Sequence, residues 1–353
     1  MAVPTPRTAV IGRRRAPARV SLGPYSYAAV PAAFAVVLLV VNLAFDGGFL
    51  SGGNLASTLA VSSPFVISAL AQAFPLLSGG GGLDLSVGPV LGFTTVLVAG
   101  VLVPHGFVQP LTLIPTVLVF GLAVGALNGI LVAYVRLPAI IATLGTYLIF
   151  SGLAAQVLPS PGGSVPLWLV DLTHSYGPIP GIALVYIAIA VCWILLSRTA
   201  YVRNLLSVGG DDRAAYTAGI NVPLVRTVAF ALAGMLSAVA GLLLTGTIQS
   251  GDATVGPIFT VTSLAAVALG GLSLQGGRGG LLGAALGGAT YYLIQNLLTV
   301  ANVSVFQLDV ASGLVLILAL ALNGTLDHLR KKRGGGRPGT RPGDPAAEAS
   351  TPG

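Results

Sequence analysis

Side chains able to do chemistry are scarce in this sequence, and their spacing is unlike that of an enzyme. The two lysines, Lys331 and Lys332, stand near the C-terminus, and no GxxxxGK[ST] run occurs. The chain therefore carries no phosphate-binding loop of its own. His105, His174 and His328 stand singly, and Cys192 has no second cysteine to pair with. Neither metal-ligand spacing nor a nucleophile with a nearby base is visible, so no metal and no cofactor is expected. What remains is polar rather than reactive. Asp84 follows the run Gly79-Gly80-Gly81-Gly82-Leu83, and Asn128, Gln295 and Asn296 interrupt long apolar stretches. Such groups suit hydrogen bonding to a hydroxylated solute, and equally to a neighbouring helix. Asp84 itself has two readings: a cap accepting from the backbone N–H of Ser86 or Val87, or a polar contact on a solute path.

The elements that position these groups must be membrane helices. The 353 residues hold 17 Lys+Arg and 10 Asp+Glu, so 8% are charged and 54% are apolar. Mean hydropathy is +0.91. An ordinary soluble chain is about 25% charged, and there is too little polar side chain here to coat a globule. The same figures exclude disorder for most of the chain. A crossing needs about 20 apolar residues. Charge-free stretches of that scale lie between Arg19 and Asp46, Asp46 and Asp84, Asp84 and Arg136, Arg136 and Asp171, and Asp171 and Arg198. Others lie between Arg226 and Asp252, Asp252 and Arg278, Arg278 and Asp309, and Asp309 and Asp327. The stretch before Arg136 is broken around Pro104-His105-Gly106 and holds two crossings, which makes about ten in all. The expected fold is all-α: a polytopic membrane protein of about ten transmembrane helices, with broken or re-entrant pieces.

Charge sign supports that count. With both termini inside, all 17 Lys+Arg fall on one side, while Asp46, Asp171, Asp252 and Asp309 fall on the other. Basic residues favour the cytoplasm, so the chain is expected in the plasma (inner) membrane with both ends cytoplasmic. Residues 1–24 read as a basic tail, 25–328 as the membrane domain with a cytoplasmic loop at 198–226, and 329–353 as a disordered tail. The basic start of that tail suits contact with anionic membrane lipid. Topology-setting charge accounts for the pI near 9.9, so no nucleic acid is expected as partner. The two weakest crossings are the second, where a separate short piece over Asn54 to Ser63 is expected before Pro64, and the eighth. The apolar heart of the eighth, Ile258 to Gly271, reaches roughly 21 Å against a ~30 Å core, as a broken or re-entrant helix would.

Three segments stand out beyond this frame. Gly121, Gly125 and Gly129 recur at four-residue spacing in the fourth crossing, as do Gly279, Gly283 and Gly287 in the ninth. Small residues in register predict close helix packing within the chain, or a homodimer face. The third segment is the cytoplasmic run Gly209 to Asn221. Asp211 and Asp212 open it, Arg213-Ala214-Ala215-Tyr216-Thr217-Ala218 fill it, and Gly219 closes it. That pattern predicts a helix of about two turns. Such a helix either rests on the membrane surface or transmits force from a soluble partner. With ionisable groups inside the bilayer reduced to Asp84 and Asp309, an ion-driven pump is poorly supported. A conduit for a neutral or mildly polar solute, driven from elsewhere, fits better.

From the second crossing to the tenth the chain resembles the inner-membrane permease subunits of ribose/xylose-type ATP-binding cassette (ABC) sugar importers. Gly82-Leu83-Asp84-Leu85-Ser86-Val87-Gly88 is similar to that family's G-I-D-L-S-V-G. Ile141-Ala142-Thr143-Leu144-Gly145-Thr146 with Ser151-Gly152-Leu153-Ala154 resembles its A-T-L-G-T…G-L-A stretch. Gly209 to Asn221 resembles G-G-N-x-x-A-A-x-x-x-G-I-N, and Leu264 to Gly279 resembles I-A-A-V-V-L-G-G-T-S-L-x-G-G-x-G. The resemblance implies a permease that dimerises with a second permease copy, as homodimer or heterodimer. It further implies a cytosolic ABC ATPase subunit and an extracytoplasmic solute-binding protein delivering a small solute, a sugar or related polyol or nucleoside. On this resemblance Gly209, Asp211, Asp212, Ala214, Ala215 and Gly219 belong to the ATPase-coupling helix. Asp84, Ser86, Asn128, Thr143, Thr260, Gln295 and Asn296 become the candidate translocation path.

The chain departs from the family pattern at three places. Thr260 stands where an acidic residue is usual near the outer mouth, Asp211 replaces an Asn, and Val202 replaces the Gly before Arg203. Asp211 keeps a short polar cap. Competing classes are a branched-chain amino-acid or nucleoside permease of a related kind, a membrane-embedded enzyme, and a membrane scaffold. The first is disfavoured by Asp-Leu-Ser after the glycines, and the enzyme by the lack of paired ionisable groups.

Overall fold

The computed structural model describes residues 26–49, 51–174 and 180–304, with isolated positions between 307 and 321. The two tails and most of the last expected crossing lie outside the described residues. Among the described residues the protein is all-helical, without a strand, and a lone bridge joins Gly162 to Gly251. The helices are α1 (Ala29–Phe45), α2 (Gly52–Leu77), α3 (Val87–Val96, continuing as a π-helical turn over Leu97–Leu102), α4 (Pro110–Ala133) and α5 (Ala139–Val157). Then come α6 (Leu167–His174), α7 (Gly181–Ser197), α8 (Ala200–Gly210), α9 (Asp212–Thr217), α10 (Val222–Ile248), α11 (Gly256–Leu269) and α12 (Leu281–Val300).

Four of these, α2, α4, α5 and α10, are long and apolar enough to cross a membrane. The α7–α8 pair makes a fifth if its 77° bend is counted within one span. Helices α1, α3 with its π-turn, and α11 are apolar but shorter.

The core is built on α2 and α10, which pack on each other and on most remaining helices. Small residues set the approach. A Cβ on Gly125 would lie 2.9 Å from the Ala231 Cα, and one on Gly129 2.6 Å from the Thr227 Cα, so α4 and α10 touch backbone to backbone. The same holds where Gly287 of α12 meets Gly270, and Gly288 meets Val66 of α2. Both glycine series therefore pack inside the chain.

One expectation about helix breaks is corrected. The second crossing has no separate Asn54–Ser63 piece: α2 runs 26 residues straight through Pro64 and Pro75. A proline inside a helix frees the carbonyl four residues back, here that of Ala60. The Ser63 hydroxyl donates to that carbonyl at 2.8 Å, so the bond is replaced and the helix continues. The break falls instead at the third crossing. Gly79, Gly80 and Gly81 all take positive φ, at 74°, 63° and 70°. They turn the chain back along α2 before α3 starts. The short eighth crossing agrees with expectation: α11 has 14 residues.

The loop at 198–226 holds two helices rather than one. Helix α8 buries Val202, Leu205 and Val208 on one face, which gives the valine before Arg203 a packing role. Helix α9 has the expected ends. The Asp211 carboxylate accepts from Arg213 N (2.9 Å) and Ala214 N (3.1 Å), and Gly219 closes the turn at φ 82°.

Arg136, Arg213 and Arg226 line one cleft at one end of the bundle. At the other end the segments bearing Asp171 and Asp252 converge: Trp168 Nε1 donates to Val108 O at 2.7 Å, and Asp252 N donates to Thr95 Oγ1 at 3.0 Å.

Candidate functional site: a buried polar cluster tied to the α8–α9 turn

The stretch Leu83–Ser86 is non-helical, with Leu85 and Ser86 turning into α3, so its peptide groups need side-chain partners. Gln72 of α2 supplies two. Its amide donates to Asp84 O (2.8 Å) and accepts from Asp84 N (3.1 Å), much as a neighbouring strand would. Thr143 of α5 accepts from Leu85 N (3.1 Å), and Thr260 of α11 donates to Leu85 O (3.2 Å). The Asp84 carboxylate, 1% exposed, accepts from both Ser86 N (2.8 Å) and Ser86 Oγ (2.6 Å). The Ser86 hydroxyl in turn accepts from Asn128 Nδ2 of α4 at 2.9 Å. An uncompensated carboxylate in a bilayer costs about 2.5–3.5 kcal/mol at a helix centre, and these bonds offset part of that. Ser86 N–H is one of the two donors expected from the cap reading. The side-chain Oδ1 of Asn128 is buried and has no partner. The cluster thus keeps one acceptor unused.

Five sequence-predicted residues, Asp84, Ser86, Asn128, Thr143 and Thr260, meet here from four separate elements. Thr260 lies against Leu85 and Gly88. Gln295 and Asn296 are elsewhere. Asn296 Nδ2 donates to Asn42 Oδ1 (2.9 Å), and Asn42 Nδ2 donates to Leu293 O (3.2 Å), which fastens α1 to α12. Gln295 Nε2 donates to Tyr291 Oη (3.0 Å) within α12. Such interhelical bonds average about 0.6 kcal/mol each. Sequence reasoning missed Gln72, although it too is an uncharged polar group inside an apolar run.

The glycine turn leading into the cluster also touches the α8–α9 region. A Cβ on Gly79 would lie 2.9 Å from the Gly209 Cα, and one on Gly276 2.8 Å from the Gly79 Cα. Gly277 N donates to Leu76 O at 2.9 Å. Three chain segments therefore meet with no side chain between them. Gly80 lies against the Arg226 guanidinium, a Cβ there falling 3.0 Å from its Cζ, and Arg226 forms an ion pair with Asp212 of α9. Of the predicted α9 residues, Gly209 is in this junction, Asp211 caps, Asp212 pairs and Ala214 is exposed. Ala215 is 4% exposed and belongs to the protein's own core. Among the described residues no three His, Cys, Asp or Glu converge as a metal site would need.

Comparison with known proteins bears on what this arrangement does. The family described as "Branched-chain amino acid transport system / permease component" matches residues 54–321. The ribose import permease protein RbsC of Bacillus subtilis is 32% identical over 81% of this chain and 89% of its own length. The autoinducer 2 import system permease protein LsrC of Escherichia coli O9:H4 is 33% identical over 84% of this chain and 87% of its own length. The galactose/methyl galactoside import permease protein MglC of Escherichia coli K12 is 30% identical over 84% and 94%. No solved structure matches the chain.

Proposed function

Because this chain belongs to the family of branched-chain amino acid transport system permease components, we propose that it is the membrane-spanning permease subunit of an ABC importer for a monosaccharide or similar small polar solute. Relatives named for ribose, autoinducer 2 and galactose import support the sugar reading over the amino-acid one. So does the cluster chemistry. Its polar groups are hydroxyls, amides and one carboxylate, and among its described residues no cation is present to take an amino acid's carboxylate. Uptake of labelled ribose against leucine, with the exported binding protein supplied, separates the two.

The chain crosses the plasma membrane about ten times with both termini inside, so the arginine-bearing end is cytoplasmic. A separate ATPase docks on α9, and a solute-binding protein delivers cargo to the opposite end. A second permease copy completes the conduit along α5. The buried face of α5 carries Ala139, Ala142, Thr143, Thr146 and Ala154, while Ile141, Gly145, Leu148, Gly152 and Ala155 form an exposed stripe at heptad spacing. No atom lies within 4 Å of a Cβ built on Gly145 or Gly152.

The observation that carries the mechanism is the contact path from α9 to Asp84. Force on α9 reaches Arg226 through Asp212 and reaches the Gly79–Gly82 turn through Gly209. The Gly79–Gly209 contact is backbone on backbone and transmits displacement without slack from side-chain rotamers, while the Asp212–Arg226 ion pair couples through side chains. The turn leads directly into Leu83–Ser86, so nucleotide-driven movement of α9 re-registers the peptide groups that Gln72, Thr143 and Thr260 hold. For this to drive transport, the soluble partners must bind the two arrangements with different affinity.

The test is Ala214→Glu in the full importer. Ala214 is exposed on α9, whereas a charge at buried Ala215 would disrupt the permease itself. The expected result is normal membrane insertion, at least tenfold lower uptake and ATP hydrolysis no longer stimulated by loaded binding protein. Retained coupled uptake would exclude α9 as the docking element.

A further inference from the structure

A cleft of about 740 Å³ opens beside α9; the mechanism above runs through Asp212, Arg226 and Gly80 of its wall and leaves the space itself without a role. It lies between the α4–α5 turn, α9 and the start of α10, and Arg136, Arg213, Arg226 and Asp212 supply its charges. Three arginines against one aspartate leave two positive charges in excess. Asp212 is already paired with Arg226. Among the described residues Arg136 and Arg213 have no ion pair, and both are exposed. The N-termini of α5 and α10, at Ala139 and Val222, open on the same space, and their dipoles add to its preference for an anion.

Arg136 is held in place rather than trailing. It takes φ 66°, a region unfavourable to any side chain but glycine. The turn is fixed around it by Leu137 N donating to Leu131 O (3.0 Å) and Val135 N donating to Ile130 O (3.1 Å). Strain of about 1–3 kcal/mol at a non-glycine residue persists only where the surroundings over-determine it. Tyr216 and Thr217 of α9 add two hydroxyls, and the wall formed by α4, α5 and the start of α10 is apolar, with Val132, Leu137, Pro138 and Val222. Arginine guanidinium pairs phosphate through two parallel N–H···O bonds. A phosphate attached to something apolar fits both halves of the lining.

From this geometry we infer that the cleft binds the phosphate of an anionic phospholipid from the inner leaflet, its glycerol and upper acyl carbons lying against Val132, Leu137 and Pro138. The inference rests on the proposed sidedness, which puts this end of α4 and α5 at the cytoplasmic surface, where anionic headgroups lie. A lipid seated there touches α9 and biases how firmly α9 is held, so lipid composition tunes coupling.

The test uses the full importer in nanodiscs of phosphatidylcholine alone or mixed with phosphatidylglycerol. Lipid retained after delipidating washes is measured by mass spectrometry, for the native chain, Arg136→Gln and Arg136→Lys. The native complex should retain phosphatidylglycerol, Arg136→Gln should lose at least tenfold of it, and Arg136→Lys should keep part. Millimolar inorganic phosphate should not displace it. Equal retention by the native chain and Arg136→Gln overturns the inference. Displacement by inorganic phosphate also overturns it, in favour of a free-anion site. If Arg136→Gln instead sheds the ATPase subunit in phosphatidylcholine alone, the cleft grips an acidic residue of that subunit and the lipid reading falls. Failure of the native permease to hold any ATPase in either lipid would sink the proposed function while leaving the lipid measurement readable.

Discussion

Helices α4 and α5 are joined by one short turn and carry glycines at helical spacing, yet the two sets have opposite surroundings. A Cβ on Gly121 would fall 2.7 Å from the Ala238 Cβ, and Gly234 of α10 faces Gly125 with 2.8 Å to its Cα. Around Gly145 and Gly152 of α5 there is open space. In α4 the missing side chains let two backbones meet. In α5 the same absence lowers helix propensity by about 1 kcal/mol per glycine and gains nothing within the chain. The difference teaches that a small-residue stripe announces a close neighbour without saying which. For α4 the neighbour is α10. For α5, under the proposed function, it is the second copy.

The largest effect in breaking this comparison is expected at Gly125→Leu. The new side chain meets the α10 backbone, which cannot give way, and the loss is about 3 kcal/mol, at the upper end of overpacking. Little folded protein should survive detergent extraction, read by fluorescence size-exclusion chromatography. Gly152→Leu should be milder in one respect and sharper in another. The monomer should fold and insert, while permease self-association measured by dilution falls at least tenfold, about 1.4 kcal/mol. Unchanged self-association would move the dimer face off α5. The smallest effect belongs to Gly145→Ala. With no contact to clash and a better helix former, the thermal midpoint of the monomer should rise slightly, by the equivalent of about 1 kcal/mol or less.

Much of the site could be anticipated, for uneven reasons. Helix α9 was legible because its signals are local: Asp211 caps the first turn and Gly219 supplies the left-handed exit. Asp84 and Asn128 stood out because polar side chains in apolar runs are conspicuous. Gln72 has the same property and was overlooked, since nothing local reveals that its amide reaches the Asp84 backbone. Pro64 misled for a related reason. Proline predicts a break unless the carbonyl it frees finds another donor, and the Ser63 hydroxyl is that donor. Gln295 and Asn296 show the converse: Asn296 joins α12 to α1 through Asn42, and Gln295 bonds Tyr291 within α12.

The sequence by itself determined that the chain lives in a membrane and how its charges are sorted along it. Those are properties of composition and order, because transferring charge into hydrocarbon is costly wherever the residue sits in the fold. It also determined the short cap-to-cap helix α9, whose ends are set within a few residues. Only the tertiary structure decided that Gly79, Gly209 and Gly277 form one junction, that Asp84, Ser86, Asn128, Thr143 and Thr260 form one cluster, and that Arg136 faces Arg213 across a cleft. These groupings join residues far apart in sequence. Their cause is the close approach of helix backbones, which depends on every packed face at once and is written in no single segment.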